Sequence, residues 1–487
     1  MSSTVHSWKG AESGSKLEAF MKFIVEPVIN SDITLGLPNT PDQIFVGRLA
    51  ERGSGPPKKV MLDVSKEFVN IIIGQRGSGK SFCLGSTLES LATKKPVSTI
   101  GTRSAQRAAL LLDPTGNFWT TALPLLNNGS PRIAKQIALL EGWGIQPEDI
   151  NSEVWLPAGY KAPTDHPAIK EFYFDTRGLD EQDWADILNI NLVSDPQGML
   201  LGDVVFRSAV TGWNGPNETV KPKPNPNLSE LITCLENCVD IQNGAAGYTD
   251  STIRVLSRNL GSYARRPLFS GTGTSLISLL KPGLLSILMM PYRVDRNLRS
   301  VISRVLIKKI LRDREIASQI QNRLDLEQLP EDDKVQLQAD LVKHIPRTVV
   351  ALDEAQELLG DRGGREKEAL EDFCLIGRNF GLSMILATQR PETSAISSKV
   401  RDQAGTWFIH QLGSQANINV VADNLVAGLP KSIRDGVSEL DFAGVIRRLD
   451  IGQALVASKK MTTSQGITRA FVMDVRPRVR VHGGEAS

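Results

Sequence analysis

Short apolar runs that stop at turn or polar residues recur along the chain. They are VNIII at 69–73, AALLLD at 108–113, GLLSILMMPY at 283–292, RTVVALDEA at 347–355, LSMILATQRP at 382–391 and TWFIHQL at 406–412. Runs this short and this rich in Val, Ile and Leu predict strands buried on both faces. Helical spacing of apolar residues separates them, most clearly in RNLRSVISRVLIKKILRDREIASQIQNRL from 296 onward. Buried strands alternating with helices predict an α/β domain with a doubly wound, mainly parallel sheet.

The remaining stretches read differently. Residues 1–60 predict a short N-terminal segment, with an amphipathic helix in KLEAFMKFIVEPVI and a hairpin, DQIFVGRLAERGSGPPKKVMLDV, entering the core. From 117 to 245 Trp and Pro become frequent and the apolar pattern is mostly helical. Within it TGWNGPNETVKPKPNPN, 211–227, carries four prolines and reads as a linker. The expected division is a core of 61–116 and 246–480, a mostly helical insertion at 117–245 outside the sheet, and a tail at 476–487. LEQLPEDDKVQLQADLVKHIP is charged and predicts a solvated excursion.

Composition narrows this picture without redirecting it. The chain has 487 residues, enough for about two or three domains. Lys and Arg number 56 against 54 Asp and Glu, a net charge of +2, so polyanion binding must come from local clusters. Cys83, Cys234, Cys238 and Cys374 have no companion at metal-ligand spacing, and buried thiols are expected. The N-terminus has no apolar core of a secretory signal. LISLLKPGLLSILMMPY is interrupted by Lys281 and Pro282, so a turn and a buried strand are expected there, with no membrane partner. The cytoplasm is the expected compartment.

Candidate chemistry begins with IIIGQRGSGKSF at 71–82. Gly74, Gly79, Lys80 and Ser81 satisfy G-x-x-x-x-G-K-[ST] directly after an apolar run and before FCLGSTLESLA. Glycines let the backbone turn its N–H groups toward phosphate oxygens, and the following helix N-terminus adds positive potential. Gly74, Gln75, Arg76, Gly77, Ser78, Gly79, Lys80, Ser81 and Phe82 are the expected ATP-binding residues. Lys80 would reach the β- and γ-phosphates, and the Ser81 hydroxyl would hold Mg²⁺. The plain alternative is a Gly-rich turn without a ligand.

TVVALDEAQ places Asp353 and Glu354 at the carboxyl end of a strand. If that strand neighbours VNIII, Asp353 would hold Mg²⁺ and Glu354 would accept a proton from the attacking water. The alternative is an acidic helix N-terminus. A glutamate beside the magnesium carboxylate suits hydrolysis better than a kinase, which must exclude water. Asp113, closing AALLLD, marks either the ligand edge of the sheet or an Asp-Pro turn. Gln389 ends the strand MILAT, where its amide would hold the water or sense the γ-phosphate. Arg378 stands before that strand, as a surface ion-pair partner or as an arginine supplied to the next subunit.

GQRGSGKS, TVVALDEAQ and GRNFGLSMILATQRP in this order resemble the motifs of the HerA/FtsK superfamily of ring ATPases. The match is nearer to the HerA branch through LKPGLLSILMM…SVISRVLIKKIL, VRDQAGTWFIHQL and the tail RPRVRVHGG, and it covers 60–116 and 255–480. The resemblance implies a RecA-like P-loop core that forms a homohexamer, hydrolyses ATP between subunits and moves DNA through a channel. Lys80 and Ser81 match the nucleotide pair, Asp353 and Glu354 the magnesium and base carboxylates, Gln389 the sensor and Arg378 the finger acting in trans. It further implies a separate nuclease or other effector, in DNA end processing or antiphage defence. Members of that branch carry a sizeable N-terminal β-barrel, which 1–60 is too short to supply.

For DNA, expected as duplex, contacts are sought in GDRGGREKEAL, 360–370, read as a flexible basic loop with Arg362, Arg365 and Lys367, or else as an ordinary solvated loop. Lys399 and Arg401 in SSKVRDQ form a second candidate. Arg476, Arg478 and Arg480 would contact a neighbour or DNA, or belong to a frayed tail. Against the motor stands a scaffold reading, in which ATP gates assembly of an effector and DNA movement is incidental. A conjugation-type pump would need a membrane segment or membrane partner, and neither is expected.

Overall fold

The computed structural model describes residues 23–26, 29, 31–52, 56–104, 106–359, 364–391, 396–424, 432–435, 438–462 and 470–483. The main sheet contains β1 (Ile33–Leu35), β2 (Gln43–Leu49), β3 (Lys59–Asp63), β4 (Val69–Ile73), β5 (Ala108–Asp113), β6 (Ser152–Pro157) and β7 (Ile169–Phe172). It continues with β8 (Leu285–Met289), β9 (Thr348–Leu352), β10 (Leu382–Thr388), β11 (Thr406–Ile409), β12 (Gln453–Ser458), β13 (Met461–Thr462) and β14 (Phe471–Val475). Along its main path the order is β7-β6-β8-β5-β9-β10-β4-β11-β12-β14-β2-β3-β1-β13. From β7 to β11 every pairing is parallel.

Side chains of the parallel strands alternate between two buried clusters. Ile71, Ile73, Leu110, Leu112, Val350 and Leu352 face one, while Ile72, Ala109, Leu111, Val349 and Ala351 face the other. Helices cover both faces. On one lies α1 (Lys80–Leu91), whose Leu84 and Leu88 pack onto the second cluster. On the other lie α2 (Glu181–Leu188), α3 (Pro196–Phe206), α4 (Leu228–Asn237), α5 (Asp250–Ala264), α6 (Arg296–Leu326) and α7 (Gly364–Ile376). This bears out the expected doubly wound, mainly parallel α/β core. Glu331–Leu341 is a helix with no buried residue, in keeping with a solvated excursion.

Three expectations are corrected, and one condition is met differently. Part of the segment read as an amphipathic N-terminal helix, Phe23–Glu26, is a strand paired antiparallel with Ser432–Asp435. Ile24 and Val25 are β-branched, and a partner distant in sequence outweighs the local periodicity. The segment 117–245 is not separate from the sheet, because β6 and β7 extend the parallel edge beyond β8. SEVWLP opens on Ser and Glu, and IKEF carries Lys and Glu between its apolar ends, so neither shows the unbroken apolar run of the other parallel strands. In 211–227 the pair Trp213–Asn214 and Thr219–Val220 forms a minimal ladder. The condition set for Asp353 and Glu354, a strand neighbouring VNIII, is not met by direct pairing, since β10 runs between β9 and β4.

The far half of the sheet is mostly antiparallel and contains the expected hairpin β2–β3. β12 and β13 are separated only by Lys459 and Lys460, yet they stand at opposite ends of the path β12-β14-β2-β3-β1-β13. This half therefore curls back on itself. Among the described residues no helix is long and apolar enough to cross a membrane.

Candidate nucleotide-hydrolysis site

Strand register brings the candidate chemistry to one edge. Leu352 pairs with Leu112 on one side and Leu386 on the other, and Thr388 pairs with Ile73. Asp113, Asp353, Gln389 and Gly74 thus emerge together at the carboxyl end of the sheet, where open α/β folds place ligands. The Gly74 N–H donates to the Thr388 carbonyl at 3.3 Å. Gly77 and Gly79 have φ of 81° and 101°, a region that favours glycine. A Cβ at Gly74 would stand 2.3 Å from Ser78 Oγ and 2.7 Å from His410 Cβ, and one at Gly79 would stand 2.9 Å from the Gly452 nitrogen. The loop is therefore closed from behind, and α1 starts immediately after it at Lys80 without a side-chain cap. Its first N–H groups remain available to an anion.

Lys80 is only 4% exposed, and its Nζ donates to Asp353 Oδ1 at 3.2 Å and Glu354 Oε1 at 2.8 Å. Burial opposes its charge, but the two carboxylates together hold its pKa above the ordinary value. The Ser81 hydroxyl lies 3.3 Å from both oxygens of Asp353. Burial, with the Glu354 charge nearby, raises the Asp353 pKa against the pull of Lys80. For Glu354 burial is outweighed by Lys80, Gln389 and Gln356, and its pKa is lowered. Gln389 Nε2 donates to Glu354 Oε1 at 2.6 Å, and Gln356 Nε2 donates to Oε2 at 2.6 Å. Although β10 separates the strands, the long Lys80 side chain spans it. The chemistry converges.

Gln75 is held against the end of β11 through its N–H to the Gln411 carbonyl at 3.0 Å and its amide to Gln411 Oε1 at 2.9 Å. Arg76 and Gly77 form the exposed tip of the loop, and Phe82 packs edge-on to His482 at 5.1 Å. Asp113 is fully buried, and its pKa is pushed up to about 6 by burial and by Asp353. Its oxygens accept from Thr115, Gly116 and Phe118, so it closes the turn after β5.

No protein-family model matches the chain, and no curated protein matches it. Solved structures similar to it include VirB4 of Thermoanaerobacter pseudethanolicus, at 13% identity over 92% of this chain and 98% of that one, with a TM-score of 0.49. The bacterial conjugative coupling protein TrwB, in a form named TrwBdeltaN70, aligns at 13% identity over 85% of this chain and 87% of its own, with a TM-score of 0.40. The genome packaging NTPase B204 of Sulfolobus turreted icosahedral virus 2, in complex with ATP-gammaS, aligns at 13% over 39% of this chain and 70% of its own, with a TM-score of 0.21. Scores below 0.5 at such identities assign neither family nor activity.

The other candidate residues do not join this cluster. Arg378 is exposed in the short turn Gly377–Phe380, at the amino end of β10. Seven residues of strand separate it from the Gln389 end, on the order of 20 Å, so it stands remote from Lys80 of its own chain. Arg362 lies outside the described residues. Arg365 and Lys367 belong to α7, not to a flexible loop. Arg365 pairs with Asp180, and with Asp183 and Asp186 at 3.5 and 3.6 Å, beside an Arg304 that joins Asp183, Asp186 and Glu366. Apolar residues at helical spacing in REKEALEDFCLI explain the helix, and the acids of α2 and its cap explain where the arginine goes. Lys399 pairs with Glu371 at 2.9 Å, and Arg401 donates to the Pro391 carbonyl at 3.2 Å.

The tail is corrected outright. Arg476, Arg478 and Arg480 are buried, and they neither fray nor face solvent. Arg478 Nε donates to Glu89 Oε1 at 2.8 Å, Arg476 Nε to the Phe45 carbonyl at 2.9 Å, and Arg480 Nε to the Thr121 carbonyl at 3.0 Å. A buried acid on α1 and a set of free carbonyls match the planar guanidinium fork. Sequence reasoning also passed over Gln356 and His410. Gln356 lay inside the quoted TVVALDEAQ and was the signal in plain sight, while nothing local marked His410.

Proposed function

We propose that this chain is an ATP hydrolase of the HerA/FtsK type, acting as a homohexamer that moves duplex DNA in concert with a nuclease or other effector protein. The observation that carries the reading is the convergence of Lys80, Ser81, Asp353, Glu354 and Gln389 at the mouth of one glycine loop. Residues 74–82 fit the triphosphate, because the side-chain-free faces of Gly74 and Gly79 allow a closely wrapped backbone. Ser81 and Asp353 are the hard oxygen donors that suit Mg²⁺, which would offset phosphate charge. Lys80, now held by two carboxylates, would turn to the phosphates and leave Glu354 Oε1 to accept the water's proton, with Gln389 holding that oxygen in place. Arg378, exposed and remote from its own site, would serve the neighbouring subunit's phosphates.

A second reading, a nucleotide-gated scaffold for an effector, is favoured by the DNA-contact candidates. Arg365 and Lys399 are engaged by acids of their own chain, and the net charge is only +2. Steady-state ATP turnover with and without linear duplex DNA separates the two. The motor predicts several-fold stimulation by DNA that disappears in Glu354→Gln and Lys80→Ala. Turnover that needs Glu354 but ignores DNA would favour the scaffold. No turnover in the unmodified protein would sink both hydrolytic readings.

A further inference from the structure

Glu354 has an unusual backbone, and its side chain is held on both oxygens. Its φ and ψ are 45° and 55°, a left-handed conformation at a residue with a side chain, which costs about 1–2 kcal/mol. Such a residue persists only where its surroundings over-determine it. Oε1 accepts from Lys80 and Gln389, whereas among the described residues the side-chain donor to Oε2 is Gln356. The Gln356 amide orientation follows from its partners. A carboxylate only accepts, so Nε2 faces Glu354, and Oε1 is left for the Thr388 hydroxyl at 2.7 Å. Thr388 Oγ1 in turn accepts from the Arg390 N–H at 3.0 Å. A directed chain therefore runs from Arg390 through Thr388 and Gln356 to Glu354. Thr388 is the last residue of β10, and Gln389 follows it directly.

We propose that Gln356 is a positioning residue that orients the Glu354 carboxylate and ties it, through Thr388, to the end of β10. The inference rests on the hydrolase reading. When phosphates draw Lys80 away, Gln356 and Gln389 are the donors that keep Glu354 aimed, one on each oxygen. Each oxygen retains lone pairs, so orientation is fixed without consuming the proton acceptor. Both donors are anchored at one strand end, so a shift of β10 would move them together.

The test is steady-state ATP turnover of the full chain carrying Gln356→Ala, Thr388→Val, the double substitution, and Gln356→Glu. Loss of one hydrogen bond corresponds to about a tenfold fall. Gln356→Ala and Thr388→Val are each expected to lower kcat by about that factor with KM unchanged. The double variant should lose no more than the worse single, since both break one chain. Gln356→Glu keeps the acceptor for Thr388 and the side-chain shape but removes the donor, and should lose at least as much. Unmodified kcat in Gln356→Glu, multiplied losses in the double variant, or a raised KM with intact kcat would each overturn the inference. An unmodified protein without Glu354-dependent turnover would instead overturn the hydrolase reading itself.

Discussion

His410 shows how much a single residue depends on where the fold puts it. It lies within the run TWFIHQL, directly after β11 and against Gly74 of the glycine loop. Its Nδ1 lies 2.7 Å from the Gln453 carbonyl and so carries the proton, while the buried Nε2 has no hydrogen-bond partner among the described residues. Burial pulls its pKa down to about 4, assisted by Lys80 and opposed by the Gln453 bond. An unfolded histidine titrates near 6.5. Between those values the unfolded chain binds a proton that the folded chain refuses, so stability is complete above 6.5 and falls as pH drops toward 4. The full effect from this group is roughly 3 kcal/mol. Denaturant unfolding of the protein and of His410→Gln at several pH values tests this. The stability difference between them should shrink in favour of the variant as pH falls through that window. Parallel curves would mean that His410 protonates freely in the folded state.

At the scale of elements, α1 is held at both ends of its function. Its N-terminus presents Lys80 to the site, and its outer face is clasped by the tail. Glu89 on α1 is fully buried, with Arg478 on one oxygen and the Val479 N–H at 2.9 Å on the other. Gly85, in the middle of the helix, makes this possible, since a Cβ there would stand 2.8 Å from Arg478 Cζ. Removing one partner of a buried ion pair costs about 3–5 kcal/mol, because the other charge is left desolvated. Arg478→Ala is therefore expected to lower unfolding stability by that amount. If Arg478 were instead a DNA contact, the variant would keep its stability and lose DNA affinity. Strands β4, β5, β8, β9, β10 and β11 were legible because parallel central strands are apolar throughout. β6, β7 and the Phe23–Glu26 strand were not, because polar residues interrupt each of these short runs, and the strands on which β6 and Phe23–Glu26 pair lie far away in sequence.

For the whole molecule the decisive geometry is the distance between Arg378 and the Lys80 site of the same chain. A strand's length separates them, and the proposed ring assigns one chain's Arg378 to the next chain's loop. Arg378→Ala should spare nucleotide binding and lower turnover. Mixing it with Glu354→Gln subunits should partly restore activity, because some interfaces then combine an intact finger with an intact base. Activity in the mixture no greater than the sum of the two inactive pools, with subunit exchange shown by fluorescence transfer, would exclude a shared site.

The sequence by itself determined the loop and its neighbours in kind. Gly74 to Ser81, Asp353, Glu354 and Gln389 stand at ends of apolar runs, and local chemistry dictates both the strand and the turn that follows it. Only the tertiary structure decided which strand ends meet. It placed β10 between β9 and β4, turned Gln356 onto Glu354, and buried His410 behind the loop. It also drew Arg365 and the tail arginines onto acids and carbonyls of their own chain. The physical reason is that periodicity and turn propensity are local, whereas ion pairs, strand order and the burial of polar groups depend on residues hundreds of positions apart. An arginine in a sequence is a charge available to any partner, and packing chooses the partner.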